Sequence, residues 1–321
     1  MTRRALITGI TGQDGSYLAE SLAASGVEVC GLVRPGDPTV AGLPPVVDPA
    51  RLFTADLTDV AAVRRALTEC APHEVYHLAG MSSVAASWED PVGTGHVNGV
   101  AAVALMTAAV EANPDCHVVF ASSAEIFAGV RAPSYAEDAA IAPVTPYGTS
   151  KAYAHLTARV LREHGARISS AILFNHESPR RPDTFVTRRI TVSAARIAAG
   201  LESHLELGNL DARRDWGWAP DYVEAMRLMA AQERPGEYVL ATGTAHSVRE
   251  FALAALTAAG VADPQERLRV NPEFLRTADA PVLVGNPGKA ERELGWRRTV
   301  DFEGLVSAMV EADVARLRAG L

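Results

Sequence analysis

The sequence predicts an α/β fold built on a doubly wound parallel sheet, and three observations predict it. Short apolar runs alternate with segments of helical apolar spacing through the first half of the chain. A loop carrying Gly9, Gly12 and Gly15 joins the first such run to the first such helix. Tyr147 and Lys151 stand one helical turn apart, on a common face. With 321 residues, 48% of them hydrophobic and 21% charged, the chain is long enough for one large α/β unit and a smaller appended lobe.

Residues 5–8 read as a buried strand and residues 16–23 as a helix. The GxxGxxG loop between them lets the backbone turn tightly and approach a pyrophosphate, whose charge then meets the positive end of the helix. Gly9, Thr11, Gly12, Gln13, Asp14 and Gly15 are therefore the candidate dinucleotide loop of a Rossmann domain. The second strand, 27–33, ends in Arg34, where a protein preferring NAD often carries an acid. A guanidinium suits a 2′-phosphate, so the reading favours NADP over NAD, the alternative being an exposed loop arginine. A third strand, 52–57, carries Asp56 and Leu57 to the cofactor side. Asp56 either accepts from an adenine amino group or caps the helix that follows Thr58. The fourth strand, 75–80, ends in Leu78, Ala79 and Gly80, with small residues where a dinucleotide needs room. Asn98 lies in a stretch whose helical spacing runs through Val100, Val103, Leu105 and Met106, and residues 118–123 form the fifth strand.

Ser123 and Glu125 leave that strand where a nicotinamide would lie, and Tyr147 and Lys151 open the next helix. A phenol titrates near ~10 in water and a neighbouring cation favours its anion, so Tyr147 beside Lys151 is expected to act as a base near neutral pH. Ser123 can hydrogen-bond the substrate oxygen that Tyr147 deprotonates, while Lys151 holds the ribose. Ser123, Glu125, Tyr147 and Lys151 are the catalytic candidates, the last two also touching the cofactor. A Tyr–Lys pair alone is more often a solvated pair on a helix, and the glycine loop upstream is what gives this one meaning.

Taken together these residues resemble the extended, sugar-nucleotide-modifying branch of the short-chain dehydrogenase/reductase superfamily. Residues 7–20, 173–181, 184–188, 207–217 and 221–225 are similar to GDP-mannose 4,6-dehydratases. The resemblance implies oxidation of a hexose at C4, removal of the C5 proton by Glu125, departure of the C6 hydroxyl as water, and return of the hydride to C6. It also implies that Asn175 and Arg276 contact a diphosphate, that Arg213 contacts the nucleotide, and that the helices after Asn98 and around Tyr147 pair in a homodimer, a tetramer being the alternative. Residues 175–189, Thr184, Val186 and Arg188 among them, mix amide, hydroxyl and guanidinium groups suited to a diphosphate and sugar hydroxyls. Arg188, Arg214 and Arg276 are the candidate phosphate contacts, each also readable as a surface or ion-paired arginine. Glu177 reads as a buried ion-pair partner. Two features point to other activities. Ser123-Ala124 replaces the family's Thr-Ser and looks like nucleotide-sugar 4-epimerases, and residues 82–88 and 276–285 look like NADPH-dependent GDP-4-keto-6-deoxy-mannose reductases.

The expected organisation is a dinucleotide-binding domain over 1–170, to which part of 210–240 returns, and a smaller interleaved α/β substrate lobe over 171–321. Helices are expected at 221–231, 247–259 and 302–317. The net charge of −8 comes from 30 basic and 38 acidic residues spread along the chain, which points to a small-molecule partner rather than nucleic acid or membrane. No apolar run approaches the ~20 residues of a membrane span and the first four residues are too short for a signal peptide, so the cytoplasm is expected. Cys30, Cys70 and Cys116 lie far apart and no HExxH pair occurs, so buried thiols and no protein-bound metal are expected.

Overall fold

In the computed structural model, residues 2–274 and 282–320 are described. Seven parallel strands form one sheet. The order of its elements follows from the chain: β1 (Arg4–Thr8), α1 (Gln13–Ala24), β2 (Glu28–Val33), β3 (Leu52–Thr54), α2 (Val60–Cys70), β4 (Glu74–His77), α3 (Pro91–Ala112) and β5 (His117–Ser123). Next come α4 (Pro146–Glu163), β6 (Ile168–Leu173), β7 (Asn175–Glu177), α5 (Val186–Ala198), β8 (Leu205–Leu207), β9 (Arg213–Arg214), β10 (Trp216–Trp218) and α6 (Ala219–Ala230). The chain ends with β11 (Glu237–Leu240), β12 (His246–Ser247), α7 (Val248–Ala258), β13 (Leu268–Val270), α8 (Gly288–Glu293) and α9 (Phe302–Arg318).

The strand order is β11-β6-β5-β4-β1-β2-β3, so the winding reverses between β1 and β4. At such a switch point the loops leaving neighbouring strands diverge and open a crevice beyond their C-terminal ends. β4 and β5 are buried along their whole length, which is why they read as unbroken apolar runs rather than alternating ones. One face is covered by α1 and α6, whose Leu18, Leu22, Tyr222 and Met226 meet Ile7, Tyr76 and Val119. The other face is covered by α2, α3 and α4, through Val63, Leu105, Met106, Ala154 and Ala158 against Leu6, Val75 and Phe120. All three cysteines are buried and free, as expected.

Pro91–Ala112 departs from the expectation of no long apolar run: it is a 22-residue helix of mean hydropathy 1.2, long and apolar enough to cross a bilayer. Half of that stretch is buried, and Leu105, Met106, Ala108 and Ala109 pack in the core as a soluble core helix packs. Within it, His96–Ala101 forms a π turn. That turn aims Asn98 inward, where its side chain accepts from the Met81 amide at 2.8 Å and donates to the Met81 carbonyl at 2.9 Å.

After β6 the chain builds a second core. α5, α7 and α9 pack through Ile190, Phe251, Leu305 and Met309, and three two-stranded sheets, β7·β10, β9·β12 and β8·β13, edge it. α6 and β11 come back to the large sheet, β11 pairing with β6, so the two halves interleave. Asp215, fully buried, ties the halves together by accepting from the amides of Thr242, Gly243 and Gly285.

Candidate active site

Gly9 has a left-handed φ of +72°, and a β-carbon there would lie 2.9 Å from the Ala79 nitrogen. At Gly15 a β-carbon would come within 2.2 Å of the Gly9 carbonyl oxygen, so the first turn of α1 lies directly against the loop. Gly12 caps α1 without a side-chain hydrogen bond, which leaves the first-turn amides available to a ligand's phosphate. This tight glycine turn, packed backbone to backbone with the first-turn amides of α1 beyond it, fits a dinucleotide pyrophosphate. Thr8 braces the next loop: its hydroxyl meets His77 at 2.8 Å and accepts from the Ala79 amide at 3.2 Å.

Asp37, four residues past the end of β2, accepts from Thr39 and Thr11. Hydrogen bonds from Thr39 hold the Asp37 carboxyl, and hydrogen bonds from Thr58 hold the Asp56 carboxyl, below the ordinary range, and Arg34, exposed just beyond β2, adds a smaller pull on both. Asp56 does not cap α2. It is exposed and closes a turn on the Thr58 amide and hydroxyl, and Asp59 makes the cap by accepting from the Ala62 amide. Leu57 beside it is buried.

The catalytic candidates meet at the strand ends. Thr145 caps α4 by accepting from the Gly148 amide, and Gly148 lets the helix start within 2.8 Å of the Glu125 carbonyl, measured to the β-carbon it lacks. Ser123 accepts from the Glu125 amide at 3.2 Å and hydrogen-bonds Tyr147. Lys151, only 6% exposed, donates to the Ala121 carbonyl at 2.8 Å and lies 5.3 Å from the Phe120 ring. Burial pulls its ammonium down to about 8. The expectation of a Tyr147 phenolate near neutrality needs correction. Burial pushes this phenol up, the nearby Glu125 charge pushes it further, and the Ser123 hydrogen bond and Arg181 only partly offset them.

Leu78, Ser123, Glu125, Tyr147, Lys151, Asn175, Thr184, Val186 and Arg214 line one cavity of ≈ 450 Å³, with Asp14 at its edge. Sequence reasoning missed several of its walls: Ser82, Ser83, His176, Arg181, Arg189 and Trp216. Arg181 and Arg189 lay inside the 175–189 stretch read as suited to a diphosphate, but nothing local distinguishes an arginine facing a cavity from one facing the scaffold. Arg188 shows the converse. It is buried, paired with Asp313, bonded to the Arg181 carbonyl at 3.0 Å, and outside the cavity lining, so it serves the lobe's core rather than a phosphate. Arg213 also lies outside the lining and donates to the Ala245 carbonyl at 2.5 Å. Glu177 is a buried partner as expected, held by Thr187 at 2.6 Å and Arg181 at 3.3 Å. Arg276 falls outside the described residues. Among the described residues no cluster of three metal-ligating side chains occurs.

A glycine-loop cradle at the sheet's switch point, with serine, tyrosine and lysine converging beside it, defines an extended short-chain dehydrogenase/reductase. A Thermus thermophilus UDP-glucose 4-epimerase, solved as a complex with NAD, shares this architecture with a TM-score of 0.85 and 29% identity over 97% of this chain and 98% of its own. Within that class the chain belongs to the GDP-mannose 4,6 dehydratase family, whose profile matches residues 6–309. It is 41% identical to GDP-mannose 4,6 dehydratase 2 of Arabidopsis thaliana over 97% of this chain and 86% of that protein. It is 39% identical to a GDP-mannose 4,6-dehydratase of Sordaria araneosa over 99% of this chain, which spans 62% of that longer protein.

Proposed function

We propose that the chain is an NADP-dependent 4,6-dehydratase that converts a GDP-linked hexose, of the GDP-mannose type, to its 4-keto-6-deoxy product. The observation that carries this reading is the convergence of Ser123, Glu125, Tyr147 and Lys151 on one wall of a cavity large enough for a sugar. A nicotinamide dinucleotide, when bound, supplies uptake of hydride from C4 and its return to C6, so the reaction is redox-neutral overall.

The chain's own groups handle protons and position. Tyr147 takes the proton of the C4 hydroxyl, and Ser123, already hydrogen-bonded to the phenol, holds that oxygen. Burial raises the phenol, so Tyr147 takes that proton only as its minority anion, and Lys151, one turn further along α4, is the cation placed to favour that anion. Once C4 is a ketone the C5 proton is acidified, and the Glu125 carboxylate in the cavity wall removes it. With the family's serine replaced by Ala124, the same carboxyl, now protonated, is placed to protonate the departing C6 oxygen. Asn175, Thr184, Val186, Arg181, Arg189 and Arg214 form the wall that receives the sugar nucleotide, in the lobe beyond residue 170.

Gly9, Gly12, Gly15 and the first turn of α1 hold the pyrophosphate, Leu78 and Ala79 flank the nicotinamide half, and Asp56 and Leu57 lie toward the adenine. Arg34, exposed beyond β2, favours a 2′-phosphate and hence NADP over NAD. Buried, unpaired thiols fit a reducing compartment such as the cytoplasm. Incubation with GDP-mannose in deuterated water, followed by mass spectrometry, tests the reaction. A product that has lost one water and gained one solvent deuterium, at C5, with no net NADPH change, is expected. A C4-inverted sugar of unchanged mass would establish epimerisation instead, and stoichiometric NADPH oxidation with a keto-sugar nucleotide would establish reduction.

A further inference from the structure

His176 and Asp14, 162 positions apart, share a hydrogen bond of 2.8 Å between the imidazole Nε2 and a carboxylate oxygen. The other ring nitrogen, Nδ1, lies 2.7 Å from the Phe174 carbonyl oxygen. A carbonyl only accepts, so Nδ1 carries a proton; an ionised carboxylate also only accepts, so Nε2 carries the second. A ring that donates from both nitrogens is an imidazolium. The ring is held face-on to Tyr222 at 4.7 Å. Gln13 closes the same seam, donating to Asp14 and to the His176 carbonyl, both at 3.1 Å, and accepting from the Ser178 hydroxyl at 2.8 Å.

We propose that the His176–Asp14 ion pair is a charged pin between the dinucleotide loop and the substrate strand, making His176 a positioning residue that couples cofactor binding to the shape of the sugar pocket. The pin rests on the reading of this cavity as a dinucleotide and sugar-nucleotide site. Asp14 lies in the first turn of α1, among the amides offered to the pyrophosphate, so displacing its side chain displaces them. His176 sits between Asn175 and Glu177, which line the substrate side of the cavity. One proton on one ring thus orders both walls.

Among the described residues, the charged and titratable groups that face the ring are Asp14 from α1, Tyr222 from α6 and Arg181 from its own segment. Burial alone would pull His176 down, but the Asp14 charge and hydrogen bond more than offset it, while Arg181 opposes; the net is a rise. Burial likewise pushes Asp14 up, and the His176 charge and hydrogen bond carry it below its ordinary value. The pin therefore exists between those two values and is lost as pH climbs through the raised histidine value. Lys151 also loses its proton as pH rises, at about 8, so a pH profile of turnover alone does not isolate the pin.

Two measurements do. Long-range proton–nitrogen NMR of the imidazoles, on the full chain without dinucleotide, should show both His176 nitrogens protonated at about pH 7.5, where an ordinary histidine is mostly neutral. Fluorescence titration with NADPH should give a Kd raised about tenfold in Asp14→Asn and in His176→Gln, with the double variant no worse than either, since each removes the same charge-assisted bond. A neutral ring at that pH, or strictly additive losses, overturns the pin. If either variant fails to fold by thermal unfolding, the NMR result on the unaltered protein decides. An enzyme that dehydrates its substrate with a neutral His176 refutes the pin and leaves the reaction standing, whereas a cationic His176 and tight NADPH binding without dehydration do the reverse.

Discussion

At the scale of single residues, the site's chemistry is governed by what burial does to charge. Glu125 shares its wall with a phenol that burial already holds protonated, so removing its charge brings Tyr147 down while deleting the C5 base. Glu125→Gln is expected to cut water elimination by about 10²–10⁴-fold, the usual worth of a general base, with deuterium at C5 lost in proportion and the melting temperature little changed. Equal loss of deuterium exchange and NADPH binding would instead mean that the side chain shapes the site rather than reacts. Lys151 gives a second expectation, with its sign fixed by burial. Its folded-state value of about 8 lies below the ordinary lysine value, so the cation is present below about 8 and gone above it. Turnover that needs the cation falls as pH rises through that value. Folding stability moves the other way, because between the two values the unfolded chain binds more protons and the fold gains as they leave. Lys151→Arg, which keeps its charge throughout, should flatten the alkaline fall in kcat/KM even at a reduced rate; a limb that persists unchanged would assign it to another group.

At the scale of elements, much of this molecule was readable before folding. Five strands, the glycine loop and the Tyr–Lys helix are local patterns, each complete within a dozen residues, and the structure shows all of them, although the strands expected over 52–57 and 75–80 end at Thr54 and His77, which leaves Asp56, Leu57 and Leu78 to Gly80 in the loops beyond. What was not readable depends on partners far along the chain. Arg188 looked like a phosphate ligand because its partner, Asp313, is 125 positions away. His176 had no visible role because Asp14 is 162 away. The loop itself makes a sharp forecast. Gly15→Ala drives a β-carbon to 2.2 Å from the Gly9 carbonyl, which only backbone displacement relieves. A loss of about 1–3 kcal/mol by chemical denaturation is expected, together with weakened NADPH binding. Gly42→Ala, with nothing within 4 Å and no left-handed backbone, should stay within about 0.5 kcal/mol. At the far end of α4, Glu237 anchors the sheet's edge strand: Arg159 reaches it at 2.9 and 2.8 Å, Arg162 at 2.5 Å and His155 at 3.5 Å. Burial would raise this carboxyl, but His155, Arg159 and Arg162 together hold it far below its ordinary value. A depressed carboxyl adds stability that is present above its ordinary value and lost as pH falls below it. Glu237→Gln should therefore cost about 3 kcal/mol at neutral pH and leave a shallower acid limb in the melting temperature.

At the scale of the whole molecule, interleaving makes the sheet and the lobe one cooperative body. β11 belongs to the sheet by pairing with β6, yet the loop that follows it is held from the lobe side by Asp215. One surface of that body is left with an apolar stripe. On α4, Tyr153, Leu156 and Val160 are 51%, 43% and 52% exposed at helical spacing, and Val100 on neighbouring α3 is 55% exposed. Trp88 and Val92, at 64% and 69%, extend the stripe. Apolar side chains gathered on two adjacent helices are the kind of surface on which chains associate. A two-fold pairing of α3 and α4 with their copies would close it as a four-helix bundle, the isologous form that most homodimers take. The opposite face of α4 carries Lys151 into the active site, so the pairing would also stiffen the helix that positions the catalytic phenol and ammonium. Leu156→Glu places a carboxylate in the middle of the stripe, which such a pairing would bury. Light scattering coupled to size exclusion should find the parent chain dimeric at micromolar concentration and Leu156→Glu monomeric. The monomer should keep its fold and lose turnover mainly in kcat, since no substrate-lining residue has changed. A dimer that survives the substitution would move the interface elsewhere, and with it the argument that α4 is steadied from outside.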